Sequence, residues 1–165
     1  MNPSKIISNE LIAELLPQAH SNTRKRMNYN IHSSYDEQVQ RFLNIISYDS
    51  YVRPHYHGQE NSWEGFIIIE GELKVIQFDN SGTIIESNIL STHGSKHGIE
   101  LDATQAHCIT SMSPHSIVFE YKQGPYRPDN DKAFPQWSPT EEQTAQSNSY
   151  HQWLKTACVG DQFNN

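Results

Sequence analysis

The residues of this chain best suited to chemistry are its histidines. Nine occur in 165 residues, and two of them form His55-Tyr56-His57, followed by Glu64, Gly71 and, much later, His107. In a β-strand, residues two apart project to one face, so His55 and His57 can reach a common ion. Glu64 would open the next strand and offer an anionic oxygen. His107 would come from a distant strand that a closed β-structure brings near. Three neutral imidazoles and a carboxylate suit one divalent transition metal ion, and Fe(II), Mn(II), Ni(II), Co(II) and Zn(II) are not separated by ligand type. An H-x-H pair alone carries little weight, because two surface histidines in a loop beside Pro54 and Gly58 would be spelled the same way. The Glu and Gly at fixed offsets give the pattern its specificity.

The elements that must position these groups read as mainly β. From Tyr51 onward, short β-prone runs cover 51–57, 64–70, 73–78 and 83–90, punctuated by Gly58, Gly71 and the turn Asp79-Asn80-Ser81-Gly82. Further strands fit 98–101, 106–112 and 116–122. Before them, Leu11, Ile12, Leu15 and Leu16 share one helical face, with Ser8 as N-cap and Pro17 as the stop. Residues 24–31 alternate with period two, placing Arg24, Arg26, Asn28 and Asn30 on one wholly polar face. Residues 36–46 return to helical spacing, with Val39, Phe42, Leu43 and Ile46 on one side, although a strand through RFLNII fits as well. A last helix is expected from Ser138, where Ser138-Pro139-Thr140-Glu141 combines a capping box with Pro at its first position.

Bulk properties narrow the class. Hydrophobic residues are 35% of the chain and mean hydropathy is −0.72, so the core must be economical, which suits a β-structure with a partly polar interior. A net charge of −7 argues against nucleic acid and anionic membranes as partners, since both attract basic surfaces. The basic triplet at 24–26 does not offset it. Cys108 and Cys158 form no disulfide framework. Glu10 and Glu14 interrupt the N-terminal stretch, no run is long enough to span a bilayer, and a cytoplasmic protein is the expectation. One domain fits the length.

Residues 55–71, H-Y-H-x6-E-x6-G, resemble the first cupin motif, and 98–107, GIELDATQAH, sits where the second would supply a last histidine. More narrowly, the chain resembles the WbuC-type cupin-fold metalloproteins from about Ser21 to Trp137. The matching segments are RKRMNYNIH (24–32), YVRPHYH (51–57), WEGFIIIEGEL (63–73), GIEL (98–101) and FEYKQGPYRPDNDKAF (119–134). The resemblance implies a single cupin, jelly-roll-like β-barrel over 21–137, with a helical segment at 1–20 and a helix and tail at 138–165. It implies a metal inside the barrel mouth, held by His55, His57, Glu64 and His107. Cupins usually have Pro-Ala-Gly before the last histidine. Here Asp102-Ala103-Thr104 stands in that place, which leaves His97 as the alternative ligand. His93 and His115 read as surface-loop residues, and His20, His32 and His151 lie outside the motifs.

The same resemblance favours Arg24 and Arg26 as an anion clamp and Asn28 and Asn30 as substrate hydrogen-bonders, against a strand face that merely meets solvent. Arg53 either orients a substrate or makes an ordinary salt bridge. Tyr126, in a segment able to fold over the mouth, is a pocket wall or a packing residue. Glu120 and Lys122 share one face of the last strand, Cys108 alternates away from His107 as a buried thiol, and Trp63 and Phe66 read as core or pocket lining. The ligand expected is small and polar or anionic, such as a sugar or sugar nucleotide. WbuC-type proteins are associated with bacterial surface-polysaccharide gene sets, which points toward an isomerase- or epimerase-like activity. An Fe(II) dioxygenase and a non-enzymatic, metal-dependent binding module stay open beside it. Leu11 and Leu15 have two places to pack, across the two-fold of a homodimer or onto their own barrel.

Overall fold

The computed structural model describes residues 4–58, 62–129, 131–142 and 144–164; Met1–Pro3 of the N-terminal stretch and Asn130 of the 119–134 segment lie outside them. Eight strands and two helices occur among the described residues. They are α1 (Asn9–Ser21), β1 (Arg26–Asn30), β2 (Val39–Ser47), β3 (Trp63–Glu70), β4 (Glu72–Phe78), β5 (Ile84–Ser91), β6 (Gly98–Asp102), β7 (His107–Ser111), β8 (His115–Gln123) and α2 (Ala145–Thr156). The strands form a five-stranded sheet, β1-β2-β8-β3-β6, and a three-stranded sheet, β5-β4-β7, with every pairing antiparallel. The chain is mainly β, as a cupin jelly roll requires. It is not the closed barrel expected from the sequence: the two sheets face each other, and the edge beyond β7 is met only by an isolated bridge from His55 to His107.

Two-residue alternation explains how one strand set serves three cores. Phe66, Ile68, Ile46 and Val118 of the large sheet meet Leu73, Val75, Leu90 and Ile109 of the small one between the layers. Leu43, Ile45 and Ile117 point the other way, under Ile12, Leu15 and Ala19 of α1. Ile76, Phe78 and Cys108 point away from the first core, under Tyr150 and Leu154 of α2. Leu15 thus packs on its own sheet.

Several expectations from the sequence are corrected here. Ser8 does cap α1, accepting from the Leu11 amide, but Pro17 lies inside the helix, which runs on to Ser21. Burial of Ala19 against the sheet outweighs the one hydrogen bond that Pro17 cannot donate. Residues 36–46 are not a helix; β2 is covered on both faces, and that removes the alternation by which a half-buried strand is recognised. Strand β1 starts at Arg26, because Lys25 sits in the left-handed region (φ 56°) and turns the chain. Residues 51–57 contribute bridges at His55 and Tyr56 but no continuous strand, since Pro54 cannot donate to a ladder. His115 opens β8 and pairs with Glu70 (2.7 Å), so it is no loop residue. The last helix does not begin at Ser138. There Glu141 is engaged by Arg26, Ser138 Oγ donates to the Pro135 carbonyl, and the capping box is Thr144 with Ser147.

Packing of α2 carries a titratable group. His151 is buried with Nε2 3.2 Å from Thr110 Oγ1, and burial, helped by the Lys155 charge, lowers its pKa to about 4. The unfolded chain therefore binds a proton that the folded chain refuses. The sign follows: stability is lost as pH falls from about 6.5 toward about 4. In EDTA, His151→Gln is expected to flatten this acid-side fall by on the order of 2–3 kcal/mol in melts across that window. Parallel pH curves for the two proteins would contradict it.

Candidate metal centre

The inward rows of the large sheet change from apolar to polar along the strands. Glu64 pairs with Lys122, Lys122 with Gln40, and Glu120 lies between Phe66 and Phe42. Asn28 pairs with Asn44, and Asn30 with Phe42. Opposite this polar end, His55 and His107 exchange backbone hydrogen bonds (3.0 and 2.8 Å), and the His57 amide donates to the Ala103 carbonyl (2.7 Å). That pairing brings residues 55 and 107, distant in sequence, ring to ring at 4.6 Å.

His55, His57, Glu64 and His107 are all buried, and one potential ligand atom from each lies within 4.8 Å of the others. Glu64 Oε2 is 3.0 Å from His57 Nε2 and 3.1 Å from His107 Nε2. The outward nitrogens are fixed. His55 Nδ1 lies 2.9 Å from the Arg53 carbonyl, and His107 Nδ1 lies 2.8 Å from the Gln105 carbonyl. A carbonyl only accepts, so each Nδ1 carries a ring proton, and Nε2 is the nitrogen left to point inward as a ligand. His107 Nε2 thus faces a carboxylate oxygen, a gap that a proton bridges in the ion-free protein and a metal ion can bridge in its place. Among the described residues, His55 Nε2 is buried with no hydrogen-bond partner. Burial, with the charges of Lys132 and His107, holds the His55 pKa well below its ordinary value, keeping it in the form a metal ion needs. These residues fit a divalent cation.

Two carboxyls flank one another here. Burial pushes Glu64 up, but hydrogen bonds from His107, His57 and Glu120 outweigh it and hold its pKa well below the usual range. Burial and the neighbouring Glu64 charge hold Glu120 well above that range, where it accepts from Asn44 Nδ2 at 2.8 Å. Lys122 donates to both oxygens of Asp131 (2.7 and 2.8 Å), and Asp131 Oδ1 also lies 3.6 Å from His57 Nδ1.

A cavity of about 610 Å³ opens over the cluster. Of the ligand-contacting residues expected from the sequence, Arg24, Arg26, Asn28, Asn30 and Tyr126 line it, and Arg53 does not. Arg53 donates to Ser138 Oγ and stacks on Phe134. Arg26 is held by Glu141 (2.6 Å) and the Tyr51 carbonyl (2.9 Å), so its fork is largely spent within the protein. Arg24 remains 63% exposed, with Glu141 only at 3.9 Å. Tyr126 lies against Tyr35 and Lys122. His97, the alternative ligand, is exposed and bonds to the Ser91 carbonyl, away from the cluster. Sequence reasoning passed over Asn44, Asp131 and Lys132. Glu120 and Lys122, already paired on one strand face, were the signal that this wall is polar.

A family model described as a domain of unknown function, DUF6016, matches residues 7–90, just over half of the chain. This chain belongs to the DUF6016 family. In this DUF6016 member the matched part runs from α1 into β5 and contains His55, His57 and Glu64, while His107, Glu120 and Lys122 lie beyond it. No curated protein matches the sequence. Among solved structures, the DUF6016 chain is similar to CapF, the capsular polysaccharide assembling protein of Staphylococcus aureus, at 17% identity and a TM-score of 0.51, over 60% of this chain and 27% of that one. A CapF structure with 3-isopropenyl-tropolone gives 18%, 0.52, 66% and 31%. An RmlC-like cupin with a double-stranded β-helix fold from Methanocaldococcus jannaschii gives 17%, 0.46, 64% and 86%. The match spans less than a third of CapF, and at these identities the likeness is one of fold. No described helix is long and apolar enough to cross a membrane.

Proposed function

We propose that this protein holds one divalent transition metal ion through His55, His57, Glu64 and His107 and uses it to bind a small anionic, hydroxyl-bearing molecule, a sugar derivative of the kind handled in surface-polysaccharide metabolism. The observation that carries this reading is the convergence of inward imidazole nitrogens and the Glu64 carboxylate beside a polar cavity. A metal ion there would supply Lewis acidity toward a ligand carbonyl or carboxylate. The charge balance favours an anion. Arg26 is matched by Glu141 and Lys122 by Asp131, while Arg24, largely exposed and only 3.9 Å from that same Glu141, and Lys132 add further cationic groups to the cavity wall. The resemblance to WbuC-type proteins and the fold shared with CapF support the sugar assignment, and an isomerase- or epimerase-like reaction is the activity we favour.

A second reading, a metal-dependent binding module without catalysis, is favoured by those same ion pairs, which tie up the side chains that would otherwise move protons. Both readings predict metal-dependent ligand binding. Hydroxy acids and hexose phosphates, screened by thermal shift, are expected to stabilise the metal-loaded protein and leave the EDTA-treated protein unmoved. Equal shifts in both states, or none across the panel, would sink the proposal.

A further inference from the structure

The cavity is longer than a metal-centred ligand needs. Glu64 lies on β3, and the lining residues Asn28 and Asn30 lie on β1, three strands away through β8 and β2. At roughly 4.8 Å per strand this is about 14 Å across the sheet. Register adds to it along the strands: Glu64 is level with Gln40 of β2, whereas Asn28 is level with Asn44, four residues on. A single pyranose ring seated at the histidines leaves that far wall uncovered.

The far wall has its own chemistry. Among the described residues the exposed Asn28 amide makes no side-chain hydrogen bond, and that of Asn30 has only a 3.5 Å contact with the Tyr35 hydroxyl. Between them and the centre, Asn44 is buried, its Nδ2 held by Glu120 and its Oδ1 without a hydrogen-bond partner among the described residues. Three neighbouring neutral amides offer donors and acceptors but no charge, which suits hydroxyl or amide groups. Tyr35 and Tyr126, with ring centroids 5.1 Å apart and planes tilted by 47°, line the same cavity and add aromatic surface and hydroxyls to its wall.

We infer that the cavity is built for a ligand of two linked units, an anionic chelating unit at the histidine cluster and a second, hydroxyl-bearing unit against Asn28, Asn30 and Asn44. The inference rests on the metal-centred reading above and extends it from a single sugar to a linked one. A disaccharide acid and a sugar nucleotide share this chemistry.

Calorimetric titration of metal-loaded protein with galacturonate, digalacturonate and UDP-galacturonate separates the cases. At least one two-unit probe is expected to bind about tenfold or more tighter than galacturonate, and which one does so identifies the second unit. Asn28→Ala with Asn30→Ala, both at exposed positions, is expected to erase that advantage and leave galacturonate unchanged. If galacturonate binds in a metal-dependent way and neither longer probe gains, or if the double variant weakens all three equally, the two-unit inference is overturned while the proposed function stands. If no probe binds, both fall.

Discussion

In saturating metal, a His55→Ala, His57→Ala variant is expected to melt about 10 °C or more below the unsubstituted protein, and in EDTA to melt within a few degrees of it. An ion that binds only the folded state stabilises it by about 4 kcal/mol at a thousandfold excess over Kd, and in a chain of this size each kcal/mol moves Tm by roughly 2–4 °C. The variant loses that stabilisation. Without metal the cluster contributes less, because among the described residues His55 Nε2 has no hydrogen-bond partner and His57 and His107 share one Glu64 oxygen. Calorimetric melts of both proteins in both buffers read this directly. A variant that melts well below the parent in EDTA would mean that these histidines are packing residues.

Lys74→Met is expected to cost about 2–4 kcal/mol while leaving metal content unchanged. Lys74 lies on β4, buried, facing α2, and its ammonium donates to the carbonyls of Leu154 (2.8 Å) and Ala157 (2.7 Å), with that of Lys155 at 3.4 Å. The last carbonyls of a helix have no partners within it, and a cation there also meets the negative end of the helix dipole. Burial lowers the Lys74 pKa, which partly offsets the gain. Methionine fills the space but strands buried carbonyls, each worth about 1–3 kcal/mol. Urea unfolding measures the loss; a change below about 0.5 kcal/mol, the scale of ordinary surface substitutions, would contradict the capping role.

The centre was more legible in the sequence than the framework that holds it. His55, His57 and Glu64 are close in sequence, so local extended geometry at 55–57 and the nearness of β3 suffice to bring them together. His107 needed the fold, and its backbone exchange with His55 is what delivers it despite the missing Pro-Ala-Gly turn. The errors have specific physical causes. Burial on both faces hid β2, tertiary packing carried α1 through Pro17, and Glu141, which looked like half of a capping box, is the counter-ion of Arg26. The outer cavity was legible only in part. The alternation of β1 exposed Asn28 and Asn30, but nothing local announces that Asp131 will meet Lys122 and His57, because those contacts depend on where a long connection returns over the sheet.

The central claim is that these four side chains hold a metal ion. Elemental analysis of untagged protein, dialysed after exposure to each of the five candidate metals, tests it most directly. About one ion per chain is expected for at least one of them, falling below about a tenth of that in the His55→Ala, His57→Ala variant. Equal metal content in the two proteins, or none in either, would contradict it.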